Sequence, residues 1–226
     1  MKLFIDPGHG GTDSGASGNG LLEKHVNLSI AQKIAEILRI EYEGVDIRLS
    51  RTGDQTVSLT ARTNSANLWG ADFYLSIHVN SFNGSAEGYE DYIHTSLSDQ
   101  SATAGYQRII HEEVLKQNEL RDRGRKKADF HVLRETTMPA ILTENGFISD
   151  ESDANKMKDP AWITRVARGH VNGLAKSFSL KKKASSNIYR VIIDGTQIGA
   201  YQDKDNALQA ISARWNQFAA ARIERI

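Results

Sequence analysis

The chain has 226 residues, 39% of them hydrophobic and 25% charged, with Lys+Arg 28 balancing Asp+Glu 28. That is an ordinary soluble composition, enough for one medium domain plus a small one, and no apolar stretch approaches the roughly 20 residues that span a bilayer. Cysteine is absent, which excludes a disulfide framework and a thiolate metal site, so any metal must be held by histidine and carboxylate.

Met1-Lys2-Leu3-Phe4-Ile5 runs directly into Asp6-Pro7-Gly8-His9-Gly10-Gly11, leaving no room for a removable signal. A strand over about 2–6 therefore delivers His9 onto a glycine-rich turn, a poor core and a good ligand site. Leu22, Val26, Ile30, Ile34, Ile37 and Leu38 recur at helical spacing through about 21–40. A strand is expected near 45–50, and a helix over Thr56–Trp69 with Leu59, Thr63 and Ala66 inward. Leu75-Ser76-Ile77-His78-Val79-Asn80 closes a strand over about 73–79, covered on both faces, with a second histidine at its end. A strand near 89–94 and a helix over about 99–118, packing Ile109, Ile110, Val114 and Leu115, come next. Ala140-Ile141-Leu142-Thr143-Glu144-Asn145-Gly146 then puts a carboxylate at the end of a strand near 140–144, and a helix over about 161–178 completes the series. The alternation predicts an α/β fold, a mainly parallel twisted sheet flanked by helices. Such sheets carry their chemistry at the carboxyl ends of strands, so His9, His78 and Glu144 should converge.

Lys181-Lys182-Lys183-Ala184-Ser185-Ser186-Asn187 has no periodicity and reads as a linker, giving a catalytic domain over 1–179, a linker over 180–187 and a small domain over 188–226. In the last, Tyr189–Ile193 and Gln197–Tyr201 flank Asp194-Gly195, a tight-hairpin signal. Asp203 or Asp205 can cap a helix with Ala207, Leu208, Ile211 and Trp215 on one side, and a strand near 221–226 completes a β-β-α-β unit. A unit of about 40 residues without disulfides or metal is at the lower limit for folding alone, so a homodimer through it is expected. From Ser179 onward eight basic residues face four acidic ones, against 20 and 24 before it. The basic tail fits either an anionic partner or a merely solubilising surface.

Zinc hydrolases commonly use three protein ligands and one open position. His9 and His78 supply two. Glu23 is the best third, because the helix after the first strand returns it to the rim that carries His9. Each has a plainer reading: a hydrogen-bonded histidine, a favourable charge at a helix amino terminus, glycines that only make a turn. Glu144 ends a buried-strand signal, where an unpaired charge is costly. Zinc would compensate it, as would an ion pair with Arg125 or Arg134, or exposure on an edge. Facing the open position, it could move a proton to and from bound water.

Asp6-Pro7-Gly8-His9-Gly10-Gly11, Leu22-Glu23-Lys24, Ser76-Ile77-His78-Val79-Asn80-Ser81 and the segment from Val132-Leu133-Arg134 through Met138-Pro139-Ala140-Ile141-Leu142-Thr143-Glu144-Asn145-Gly146-Phe147-Ile148-Ser149 resemble the type-3 zinc-dependent N-acetylmuramoyl-L-alanine amidases, peptidoglycan hydrolases of bacterial autolysins and phage endolysins. The resemblance covers about residues 1–178. It implies Zn2+ held by His9, Glu23 and His78, with Glu144 as the catalytic glutamate. His131 stands where the family usually has another residue and receives no metal role; His25, His94, His111 and His170 are read as surface or structural. Residues 188–226 are similar to small wall-binding repeats appended to such amidases, including the sporulation-related type, with Tyr189 and Tyr201 as candidate glycan or anionic-polymer contacts and Trp215 as core. The implied partner is bacterial peptidoglycan, with anionic wall polymers at the tail; neither nucleic acid nor membrane insertion is expected. Without a signal, a chain made in the cytoplasm would reach the wall after phage lysis or mother-cell lysis. Zinc peptidases and deacetylases share this ligand chemistry, and a non-enzymatic wall-binding protein is the alternative of another class.

Overall fold

The computed structural model describes residues 1–183, 189–201, 204–214 and 216–225. Two compact units divide at Lys181 and Lys182. In the first, β1 (Lys2–Pro7) leads through a short hairpin, β2 (Ser17–Gly18) and β3 (Leu21–Leu22), into α1 (Glu23–Glu41). Then come β4 (Asp46–Leu49), α2 (Leu59–Trp69), β5 (Phe73–Asn80), β6 (Tyr89–His94), α3 (Ala102–Asn118), β7 (Asp122–Ala128), α4 (His131–Arg134), β8 (Ala140–Phe147), α5 (Glu151–Met157) and α6 (Pro160–Ser177).

The six-stranded sheet has the order β4-β1-β5-β8-β6-β7. β1 pairs in parallel with β4 and β5, β5 with β8, and β6 with β7, while β6 runs antiparallel to β8. The expected mainly parallel α/β sheet is therefore present, and the carboxyl ends of β1, β5 and β8 share one rim.

Alternation along each strand divides the core into two layers. Leu3, Ile5, Phe73, Leu75 and Ile77 face a cluster with Ile30, Ile34 and Leu38 of α1, Ile110 and Val114 of α3, and Trp162 and Val166 of α6. Phe4, Tyr74 and Leu142 face the opposite way, against Ala66 of α2 and Val132 and Leu133 of α4. Ile34 is fully buried, so truncation to alanine there costs about 2–5 kcal/mol. Leu59 departs from expectation. It is 54% exposed, because the helix begins at this residue and turns it outward.

Local chemistry sets the helix ends. Ser58 accepts a hydrogen bond from the Ala61 amide at the start of α2, and Gly70 closes that helix at φ 66. Ser101 caps α3 in the same way, and Asp159 with Pro160 opens α6, each satisfying amides that a helix start leaves unpaired. The sequence reading omitted β7, α4 and α5. β7 reads Asp-Arg-Gly-Arg-Lys-Lys-Ala, with no apolar alternation, since an edge strand carrying charges needs none.

The second unit contains β9 (Tyr189–Ile193), β10 (Thr196–Tyr201), α7 (Lys204–Ser212) and β11 (Ala221–Arg225), with antiparallel order β10-β9-β11. Asp194 and Gly195 take φ 45 and 85, as a tight hairpin demands, and the Asp194 carboxylate accepts from the Ala219 and Ala220 amides. Val191, Ile192 and Ala207 are its buried apolar residues among those described, whereas Leu208 is exposed rather than inward. Asp205 lies in the first turn of α7. Asp203, Trp215 and the linker residues 184–187 lie outside the described residues. Among the described residues no helix is long and apolar enough to cross a membrane.

Candidate functional site

Parallel pairing of β1, β5 and β8 brings three polar side chains to one rim. His9 leaves β1 through Gly8, whose amide donates to the Ile77 carbonyl at 3.0 Å. Its backbone is left-handed at φ 60, an uncommon state for a residue with a side chain and one typical of functional turns. His78 ends β5, and Glu144 is its register partner on β8.

Glu23 opens α1 but does not cap it: the helix start has no side-chain cap. Its carboxylate, 4% exposed, turns instead to the two imidazoles, with Oε2 3.2 Å from His9 Nε2 and Oε1 2.8 Å from His78 Nδ1. The Ala16 amide and the Asn27 amide group donate to the same carboxylate at 2.8 and 3.2 Å. Burial opposes its ionisation, but hydrogen bonds and charge from His78 and His9 hold it far below the usual carboxylate range. One donor atom from each of His9, Glu23 and His78 falls within 4.8 Å of the others. Two imidazoles and one carboxylate at that spacing fit a divalent cation.

The neighbours hold this arrangement. Asp13 Oδ2 lies 2.9 Å from His9 Nδ1, orienting the ring and leaving Nε2 for the centre. Burial lowers the His9 pKa, but Glu23 and Asp13 outweigh it and raise it. A β-carbon on Gly8 would overlap the His78 ring, and one on Gly15 would stand 2.6 Å from both Glu23 Oε2 and the His9 ring, so both positions require glycine.

Two buried arginines tie down the backbone beneath. Arg62 donates to the Asp6 carboxylate at 2.6 Å and to the carbonyls of Pro7 and His9 at 2.8 and 2.7 Å. Arg51 donates to the Pro7, Gly8 and Lys24 carbonyls at 3.1, 2.8 and 2.7 Å. Lys24 reaches the Gly11 carbonyl and Asp54, which accepts from the Gly11 amide. The loop expected to close around a ligand is thus fastened in advance.

Glu144 is half-buried, with Oε2 shielded from solvent and without a hydrogen-bond partner among the described residues. It lies inside the sheet between His78 on β5 and Glu90 on β6, not on an edge. Arg134 pairs with Asp129 and Glu135, and neither it nor Arg125 forms an ion pair with Glu144 among the described residues. Burial, reinforced by the charges of Glu23 and Glu90, pushes the Glu144 carboxyl well above the ordinary range. A cavity of about 500 Å3 joins Glu144 to His9 and His78, with Leu59, Phe130 and His131 among its walls.

The family model for N-acetylmuramoyl-L-alanine amidase matches residues 3–176. The chain belongs to this family. It is 56% identical over 207 residues to the sporulation-specific N-acetylmuramoyl-L-alanine amidase of Bacillus subtilis, covering 92% of this chain and 78% of the relative. It is 39% identical over 188 residues to the endolysin of Bacillus phage SPP1, covering 82% and 69%. Among solved amidase structures, the catalytic domain of CwlV from Bacillus (Paenibacillus) polymyxa var. colistinus superposes with a TM-score of 0.75 at 33% identity, covering 80% of this chain and 99% of that one.

His94, His111, His170 and His25 lie in structural or surface settings. His94 sits 2.7 Å from Ser96 Oγ and 3.1 Å from Asp129, His111 bridges Asp91 and Asp122, and His170 is fully buried. His25 is exposed, 3.8 Å from Asp54. Sequence reasoning missed Asp13, Arg51 and Arg62. Asp13 had a signal, an acid four residues after His9 in a glycine-rich loop. The arginines bind backbone carbonyls, which no spacing rule marks.

Proposed function

We propose that this amidase-family chain hydrolyses the amide between the lactyl group of N-acetylmuramic acid and the L-alanine of the peptidoglycan stem, using zinc held by His9, Glu23 and His78. The observation that carries the reading is the gathering of these three donors on one rim, with Glu144 paired in register to His78 and opening on the same cavity. Bound there, zinc would make water acidic enough to attack at neutral pH and would stabilise charge on the lactyl carbonyl oxygen.

This chain's own residues supply positioning and proton transfer. Asp13 fixes the His9 ring, and Arg62 and Arg51 hold the loop carbonyls so that the donor set is preformed. Leu59 and Phe130 flank the cavity and limit its water. Glu144 accepts a proton from the attacking water as the new C–O bond forms. It then returns that proton to the alanine nitrogen as the C–N bond breaks, and the stem peptide departs with a free amino terminus. Burial, with the charges of Glu23 and Glu90, raises the pKa of this carboxyl well above its ordinary range, and a dication bound beside it would lower it again.

For the second unit we propose wall binding, supported by its basic balance and by the half-buried Tyr189 and Tyr201. Its three buried apolar side chains among the described residues are few for independent stability, which supports self-association; sedimentation at micromolar concentrations should give a dimer mass, and a monomer throughout would remove that part. Release to the wall by phage lysis or mother-cell lysis fits the kinds of relative named above.

Mass spectrometry of digested peptidoglycan tests the central reading. The expected products are stem peptides with free L-alanine amino termini. Cuts within the stem would indicate a peptidase, freed sugar amines a deacetylase, and binding without release a wall-binding protein.

A further inference from the structure

A second unsatisfied polar atom belongs to a residue in the wall of the cavity that holds Glu144. His131, the first residue of α4, lines the cavity, and its Nε2 is shielded from solvent with no hydrogen-bond partner among the described residues. Buried ring nitrogens nearly always find a partner, and leaving one unpaired costs free energy that the rest of the fold must offset. His131 is also held firmly. Its carbonyl accepts from the Glu135 amide at 2.9 Å, and the next two residues, Val132 and Leu133, are buried in the core layer beneath α2. The ring therefore stands on a fixed element, beside Phe130, in the wall of the substrate cavity.

We propose that His131 is a substrate-positioning residue, whose imidazole hydrogen-bonds an amide of the muropeptide adjacent to the bond being cut. This rests on the amidase reading above. An imidazole matches an amide, because a ring nitrogen can, by tautomer, donate to the carbonyl or accept from the N–H. Two amides flank the scissile one, the 2-acetamido group of the sugar and the peptide bond after L-alanine. A site built to meet a polar group rejects analogues that lack it far more strongly than an apolar wall would. His131 takes no part in proton transfer here; that belongs to Glu144 across the cavity.

The test compares His131→Leu and His131→Gln in the full chain, by kcat/KM on three soluble substrates: N-acetylmuramoyl-L-Ala-D-Glu, its de-N-acetylated form, and N-acetylmuramoyl-L-alanine without the second peptide bond. On the complete substrate His131→Leu should lose at least tenfold in kcat/KM. His131→Gln, whose amide reaches a similar distance, should lose less than threefold. The loss should vanish on whichever truncated substrate lacks the partner amide, which names it. Metal content should stay at the wild-type value and the thermal midpoint should not fall below it, a readout that a merely structural role would move. Undiminished turnover by His131→Leu overturns this inference alone, as does an equal loss on all three substrates without rescue by glutamine. An inactive wild-type protein overturns the amidase reading and this inference with it.

Discussion

His78 and Glu144 stand opposite one another in the parallel β5–β8 ladder. In a strand, successive side chains alternate faces, so a one-residue slip would send one of them into the apolar layer with Ile77 and Ile141. The apolar residues of β5 and β8 therefore fix the register, and the register brings an imidazole and a carboxyl to the same cavity. Core packing is thus what aligns the two halves of the chemistry.

Glu144→Gln is expected to abolish release of L-alanine-terminated peptides, lowering kcat by at least about 10²–10⁴, the usual size of a lost general acid–base group. Metal content should be unchanged, because Glu144 is not among the three clustered donors. Stability should hold or rise, since the change removes an ionisable group kept in a desolvated, acid-lined position. Elemental analysis and thermal unfolding check both statements. Loss of metal in this variant would overturn the division of roles.

His9→Ala, Glu23→Ala and His78→Ala should each lose bound metal together with activity, and a chelator should reproduce the loss in the wild type, reversed by added Zn2+. Glu23→Ala should be the most damaging to structure, because its carboxylate also accepts the Ala16 amide and the Asn27 side chain. Stoichiometric zinc retained by any of the three would exclude that residue as a ligand.

The site was legible in outline because its members sit at the ends of apolar runs. His9, His78 and Glu144 follow Leu3–Ile5, Leu75–Ile77 and Ala140–Leu142, and parallel strands bring such ends together. Glu23 could be placed because a βα unit returns its helix start to that rim. The supports were not legible. Arg51 and Arg62 reach the carbonyls of Lys24 and His9, 27 and 53 positions away, and β7 has no apolar alternation to betray it. Leu59 fitted a helix face by spacing and proved to be a cavity wall, since periodicity does not say where a helix begins.

Arg62→Met should destabilise the chain by about 3–5 kcal/mol, the cost of leaving a buried carboxylate unpaired. Asp6 and Arg62 are 1% and 3% exposed, and the Arg62 charge and hydrogen bonds outweigh burial to hold Asp6 below its ordinary pKa. The double variant Asp6→Asn, Arg62→Met should recover much of that loss, since no charge is then stranded. Its metal affinity should still fall, because the bond from Arg62 to the His9 carbonyl is gone. Denaturant titrations and zinc binding separate the two effects; full recovery of both by the double variant would mean that Arg62 serves only Asp6.

His170 gives the fold an acid-sensitive point away from the His9, Glu23 and His78 cluster. Its Nδ1 donates to the Val166 carbonyl at 2.9 Å, leaving Nε2, 3.2 Å from the Thr143 hydroxyl, as an acceptor. Burial lowers its pKa from 6.5 to about 4, only partly offset by the Val166 bond. The unfolded chain therefore takes up this proton at a higher pH than the folded one. Below pH 6.5 the unfolded state gains, so stability should decline toward pH 4, by about 3 kcal/mol in all, and level off beyond. His111, raised by Asp91 and Asp122 against its burial, and Glu144, raised chiefly by burial, act in the opposite sense and stabilise the fold as pH falls, so the wild-type curve alone mixes several terms. Comparison with His170→Gln isolates the term: the remaining groups shift both proteins alike, so between pH 6.5 and 4.5 the wild type should lose stability relative to the variant. Parallel curves for the two proteins would show that His170 does not titrate in this range.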